Sequence, residues 1–229
     1  MDEFALFAKF WEPGAVKTRL ATDIGDAAAA EIHRLSLLTL LRRFAASGDR
    51  RVLAYSPLAR EQTFREVAGS AWELRAQSPG GLGHRIVAHF AAAAARQARR
   101  AVLIGSDSPT LPSVLVAGAF EALQNRDVVI GPSEDGGFYL IGVRVDKVPT
   151  NLLDSWLRDI PWSTAQVWPL LHRTLQRDKV AYQTLDTWYD VDTVADLHRL
   201  RAELSMLAPQ DPNWQPLAEA IRAALPLTH

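Results

Sequence analysis

Asp107 stands just beyond a wholly apolar run, in "AVLIGSDSPTLP", where a short carboxylate at the exit of a buried strand makes a rigid, sparsely hydrated anion. Mg2+ bound together with substrate phosphates takes one or two carboxylates and keeps several waters, so Asp107 suits such a cation. Capping the helix that begins near Pro112 is the plainer role, but Ser108 and Thr110 are nearer to that end. A second acidic pair lies in "WYDVDTVADL". Asp190 and Asp192 alternate on an extended segment and point to opposite sides, so one of them faces a site. Asp192 as a second metal ligand facing Asp107 is the functional reading. Thr193 with Asp196 also forms a capping-box pattern, which gives the segment structural work of its own.

Positive charge gathers near the other end of the chain. "KFWEPGAVKTRLATDIG" carries Lys9, Lys17 and Arg19 around Gly14. Flexible backbone amides and fixed cations suit a diphosphate or triphosphate, and Arg grips two oxygens at once. A solvated basic loop is the alternative. The glycine spacing matches neither a Walker loop nor a Rossmann fingerprint.

Two further loops are glycine-rich. In "AQSPGGLGHRI", Gly80 and Gly81 allow a ligand close to the backbone, Gln77 offers an amide to a base edge, and Arg85 faces phosphate or solvent. His84 and His89 read as surface histidines. In "VVIGPSEDGGFYLIGV", Asp135, Gly136 and Gly137 mark either an antiparallel hairpin or a turn that gives room to a sugar or acceptor, with Asp135 in contact. "IPWST" offers Ser163 or Thr164 as a helix cap and Trp162 as a core anchor.

These loops need a scaffold. Expected strands are Phe4–Ala8, Arg51–Ser56, Trp72–Gln77, Ala101–Gly105, Asp127–Gly131, Phe138–Arg144 and Lys179–Leu185. Helical patterns lie between them, including one with Ile32, Leu35, Leu38 and Leu41 on a face and another with Ile86, Val87 and Phe90. Pro169 must start, kink or interrupt the helix of "TAQVWPLLHRTLQR". Alternating β and α segments imply a mostly parallel mixed sheet in a three-layer αβα sandwich, with ligands beyond the carboxyl ends of the strands. Residues 1–206 read as one domain and 207–229 as a loosely tethered helical appendage.

Composition bounds the rest. The chain has 229 residues, 48% hydrophobic and 22% charged, with formal net charge −1, which disfavours nucleic acid held by bulk electrostatics. It has no cysteine, so disulfides and thiol chemistry are excluded. No secretory signal or membrane-length apolar run is evident, so a cytoplasmic protein is expected.

Taken together and in order, "KFWEPGAVKTRLA", "QSPGGLGHR", "GSDSPTLP", "DVVIGPSEDGGFYLIGV", "PWST" and "DVDTVADL" resemble the glycosyltransferase-like family called radical-SAM/selenodomain-associated transferases. More distantly, the chain resembles phospholactate and molybdenum-cofactor guanylyltransferases. The resemblance spans residues 4–205. It implies a GT-A nucleotide-diphospho-sugar transferase fold in which Mg2+ or Mn2+ bridges acidic residues and a nucleotide's diphosphate. By position, Asp107 and Asp192 would be the metal ligands, Lys17 and Arg19 would meet phosphate, and Gln77 with its glycines would border the base. Gly81 stands where the family commonly has Asp, and the nucleotidyltransferase signature of two glycines followed by Arg-Met-Gly and a lysine is absent. The expected activity is metal-dependent glycosyl transfer from a nucleotide-diphospho-sugar. Nucleotidyl transfer with pyrophosphate release, and a non-catalytic nucleotide-binding protein, are the alternatives.

Overall fold

The computed structural model describes residues 1–225. Seven strands form one sheet: β1 (Asp2–Lys9), β2 (Arg50–Ser56), β3 (Glu73–Ala76), β4 (Arg100–Ile104), β5 (Val128–Pro132), β6 (Phe138–Val143) and β7 (Tyr182–Thr184). Their spatial order is β3-β2-β1-β4-β6-β5-β7. All neighbouring pairs are parallel except those of β6, which runs antiparallel to both β4 and β5. The hairpin expected at "EDGG" joins β5 to β6.

Strand alternation sorts side chains onto two faces. Phe4, Leu6 and Ala8 of β1 enter one buried cluster with Leu37, Leu40, Phe64 and Val116. Ala5 enters the other, with Ile86, Phe90, Leu153 and Leu171. The first face is covered by α2 (Asp26–Arg43), α3 (Glu61–Ala68) and α5 (Ser113–Ala122); the second by α4 (Leu82–Ala95), α6 (Thr150–Leu157) and α7 (Val167–Arg177). The result is the expected three-layer sandwich. Pro169 is the third residue of α7, in the first turn, where its missing N–H costs the helix nothing. The eight-residue helices α3 and α6, and the short α1 (Thr18–Ile24), were not expected from the sequence, being too brief to establish a period.

A third cluster lies beyond the sheet. Leu20, Ala29 and Ile32 pack with Leu197, Leu200 and Leu204 of α8 (Val194–Leu207) and with Trp214, Leu217 and Ile221, the last two on α9 (Gln215–Ala224). Residues 207–225 are therefore seated on α2 and α8 rather than loosely tethered, because their apolar stripe has a groove to fill, and the last four residues of the expected appendage lie outside the described residues.

His89 also departs from expectation: it is buried, whereas His84 is exposed. It lies 3.6 Å from fully buried Glu3, whose carboxylate Arg96 grips through two hydrogen bonds of 2.6 and 3.1 Å. Burial first, then the Arg96 and Arg75 charges, push the imidazole down to about 3, so it packs neutral. Among the described residues no helix is long and apolar enough to cross a membrane.

Candidate active site

The chain turns in opposite directions from β1, to β2 on one side and to β4 on the other. Such a reversal leaves a crevice outside the carboxyl ends of the two strands, because their loops diverge. Parallel pairing aligns Leu6 with Ile104, so the loops after both strands leave at the same level.

Lys17 enters this crevice from the β1 loop. Its backbone is left-handed, with φ 48° and ψ 40°, at the N-cap of α1. A non-glycine residue rarely holds that conformation, and when it does the surroundings enforce it. The far end of its side chain is fixed by two ion pairs. The Lys17 ammonium pairs with Asp107 Oδ1 and lies 3.0 Å from Asp192 Oδ1. The lysine side chain is only 4% exposed, whereas those of Asp107 and Asp192 are 42% and 37% exposed. The positive charge is thus inside and the carboxylates form the crevice wall. Burial pushes the Lys17 amine down, but the two aspartates outweigh it and hold it above its ordinary value. Enclosure pushes Asp107 up, and Lys17, with His33, overrides this and holds the carboxyl well below the usual range.

The two acidic segments are joined by the main chain as well. The Val191 N–H donates to the Asp107 carbonyl at 2.9 Å. Asp190 accepts from the Ser108 hydroxyl at 2.5 Å and turns away from the lysine, as alternation along an extended segment requires. Burial and the nearby Asp107 push the Asp190 carboxyl up to about 7. The capping box is present: Thr193 Oγ1 accepts from Asp196 N, and the Asp196 carboxylate accepts from Asp192 N and Thr193 N. Its role is to aim Asp192 from the start of α8. Ser108 and Thr110 do not cap α5; Pro112 precedes that helix without a side-chain cap.

His33 was not singled out by sequence reasoning. Its Nε2 lies 3.1 Å from the Lys9 carbonyl, and Nδ1 faces Asp107 Oδ1 at 3.7 Å without a hydrogen-bond partner. The available signal was a histidine on the buried stripe of α2, among Ala29, Leu37 and Leu40.

The remaining candidates distribute around this centre. Lys9 is exposed and closes the loop by donating to the Ala15 carbonyl at 2.6 Å. Arg19 is exposed on α1. Gln77 spends its amide N–H groups on the Ala8 and Ala54 carbonyls, at 3.2 and 2.7 Å, and its Oε1 accepts from Arg85 at 3.0 Å. Arg85 also donates to the Gly80 carbonyl at 2.9 Å, so this pair braces the loop in which Gly80 and Gly81 are exposed. Asp135 Oδ1 accepts from Ser133 Oγ and from Gly137 N, holding the β5–β6 turn. Gly136 has φ +88°, and Trp168 N donates to its carbonyl at 2.8 Å, which ties the turn to the start of α7. In "IPWST", Ser163 has φ 64° and Thr164 Oγ1 accepts from Gln166 N at 3.2 Å, while Trp162 packs its edge against Phe138. Neither Ser163 nor Thr164 is the cap residue of α7, which is Gln166.

The donor set fits a hard divalent cation. Asp107 and Asp192 direct their Oδ1 atoms at one positive centre, and their Oδ2 atoms accept no hydrogen bond from the described residues. Among those residues, no three His, Cys, Asp or Glu side chains form a complete metal cage. Two carboxylates completed by substrate phosphates are the usual arrangement for Mg2+.

Fold and crevice together define a member of the nucleotide-diphospho-sugar transferase-like class. The model of the family described as "Uncharacterized protein conserved in bacteria (DUF2064)" matches residues 39–164, and the chain belongs to this family. It is 32% identical to a protein from Desulfovibrio desulfuricans G20, described by its crystal structure as a candidate nucleotide-diphospho-sugar transferase, with 97% of each chain covered and a TM-score of 0.86. A nucleotidyl transferase from Methanothermobacter thermautotroptrophicus is 16% identical, over 89% of this chain and 97% of that one, with a TM-score of 0.60. CMP:2-keto-3-deoxy-manno-octonic acid synthetase, solved with CTP, is 14% identical over 90% and 98%, with a TM-score of 0.53. The last two likenesses are of fold. No curated protein matches the chain.

Proposed function

We propose that this protein is a metal-dependent glycosyltransferase that uses a nucleotide-diphospho-sugar donor. The observation that carries the reading is the Lys17 ammonium shared by Asp107 and Asp192 at the crevice between β1 and β4. A lysine and two acids meeting at that point give both halves of a diphosphate site: a cation for the phosphate oxygens and oxygen ligands for a metal. Asp107 and Asp192 would hold Mg2+ or Mn2+, which when bound neutralises charge on the departing diphosphate. Lys17 and exposed Arg19 supply further positive charge to the same oxygens. The Gly80–Gly81 loop, braced by Gln77 and Arg85, borders the base with backbone rather than with the Gln77 amide, whose donors are engaged. Gly136 and Gly137 leave room for the sugar or acceptor, and Asp135 keeps its Oδ2 for the acceptor hydroxyl proton. The bond from the anomeric carbon to the diphosphate breaks, a bond to the acceptor oxygen forms, and nucleoside diphosphate departs.

The test is a thermal-shift screen of purified protein against nucleoside triphosphates and nucleotide-sugars, with and without Mg2+ or Mn2+. Stabilisation by nucleotide-sugars that depends on the metal and disappears in Asp107→Asn supports the proposal. A preference for a free triphosphate, with pyrophosphate release on adding phosphorylated acceptors, replaces it with nucleotidyl transfer. Metal-independent binding unchanged in Asp107→Asn leaves a nucleotide-binding protein without this chemistry.

A further inference from the structure

Resting on that reading, we propose that Lys17 is an internal counter-ion that couples the binding of the divalent cation to the binding of the nucleotide's diphosphate, so that neither binds well alone. Three features of the crevice lead there. The ammonium sits where a cation shared by Asp107 and Asp192 would lie, and it is nearly fully enclosed while the carboxylates around it reach solvent. Its backbone is left-handed at the head of a seven-residue helix, and from there the side chain runs inward to both carboxylates. The groups that meet the ammonium come from two elements, Asp107 after β4 and Asp192 before α8, and His33 of α2 stands behind them with its Nδ1 3.7 Å from Asp107.

The coupling follows from charge. A divalent cation held by Asp107 and Asp192 takes the partners of a buried ammonium and places like charge beside it, at low dielectric. The ammonium then needs an anion, and the nearest supply is a diphosphate held by the same cation. Conversely, a diphosphate arriving alone meets the Asp107 and Asp192 carboxylates with their one lysine already engaged. Each ligand removes the obstacle to the other, and the gain is necessarily the same in both directions. With Lys17 held by two aspartates, the ligand-free site leaves no buried cation unpaired; with both ligands present, lysine and aspartates exchange partners and that remains so.

The experiment measures Mn2+ binding by the loss of the free-ion electron paramagnetic resonance signal, without nucleotide and with UDP, GDP, CDP or ADP, corrected for Mn2+ bound to nucleotide. The proteins are wild type, Lys17→Met, which keeps the length and removes the charge, and Lys17→Arg, which keeps the charge. Wild type and Lys17→Arg should bind Mn2+ alone weakly and gain at least tenfold with the preferred nucleotide. Lys17→Met should bind Mn2+ alone at least tenfold more tightly than wild type and gain little from nucleotide. Where the methionine variant is less stable, its Tm should rise with Mn2+ alone by more than that of wild type. If wild type binds Mn2+ with nucleotide but Lys17→Met binds Mn2+ alone no better than wild type, the coupling is overturned and the functional reading stands. If wild type binds Mn2+ under neither condition, both fall.

Discussion

Lys17 and Asp192 are 175 positions apart in the chain, and their side chains meet at 3.0 Å. The pair joins the first βα loop to the segment that follows the last strand, on either side of Asp107. A crevice built this way depends on the whole sheet being in register, since β1, β4 and β7 each deliver one acidic or basic group to the same edge. The site is therefore a readout of the complete fold, and substitutions in it separate into those that disturb charge and those that disturb the frame.

Asp190 belongs to the first kind. Its carboxyl titrates near 7 in the folded protein, against an ordinary value of about 3.9 in the unfolded chain. Between these values the folded state holds a proton that the unfolded state has lost, so this group's contribution to stability falls as pH rises from about 4 to 7 and is level above 7. Asp190→Asn keeps an acceptor for Ser108 and removes the ionisation. The variant should match wild type in Tm at pH 4 and exceed it by at least about 3 °C at pH 8. Melting curves at the two pH values check this; a difference that does not change with pH would show that the carboxyl is ordinary.

Two glycines separate frame from ligand. A Cβ on Gly136 would lie 2.7 Å from Ala165 Cα, with φ +88° adding strain, so Gly136→Ala should cost about 2 kcal/mol or more, a Tm loss of roughly 4–8 °C. Gly81 has φ −72° and a Cβ there meets nothing within 4 Å, so Gly81→Asp should fold with Tm unchanged within about 2 °C. Differential scanning fluorimetry on the two variants decides both. Equal losses would mean that the β3–α4 loop is packed against something other than what the structure shows.

Arg19 tests the phosphate role without the complication of burial. Its side chain is exposed, so Arg19→Ala should leave Tm within about 2 °C of wild type. Nucleotide affinity in the presence of Mn2+ should fall about three- to tenfold, the scale expected for one charge-assisted contact at a partly solvated site. Isothermal titration calorimetry gives the affinity; an unchanged value would remove Arg19 from the binding surface.

Much of this architecture was written in short-range pattern. The run Ala101–Ile104 is uniformly apolar because β4 is central and covered on both faces, and that uniformity is what made Asp107 conspicuous at its end. All seven strands were anticipated, although β7 shrank to Tyr182–Thr184. What could not be read was pairing at a distance. Glu3 is a buried carboxylate at the start of an apolar strand, and Arg96, 93 positions on, with Arg50 at 3.9 Å, explains how it is tolerated beside His89. Gln77 was expected to face a base because it ends a strand beside glycines, but two carbonyls of β1 and β2 claim its amide. His33 was invisible for the same reason: a histidine on an apolar helical stripe acquires meaning only when its neighbour across the crevice is known.

The hydrogen bond from Val191 N–H to the Asp107 carbonyl decides how this crevice tolerates substitution. It is made of peptide atoms alone, so the gauge that sets the gap between the two acids carries no side-chain signature. Substitutions on either segment therefore act by re-aiming the acids, as the Thr193–Asp196 box aims Asp192, while the distance between the two loops stays with the path of the backbone.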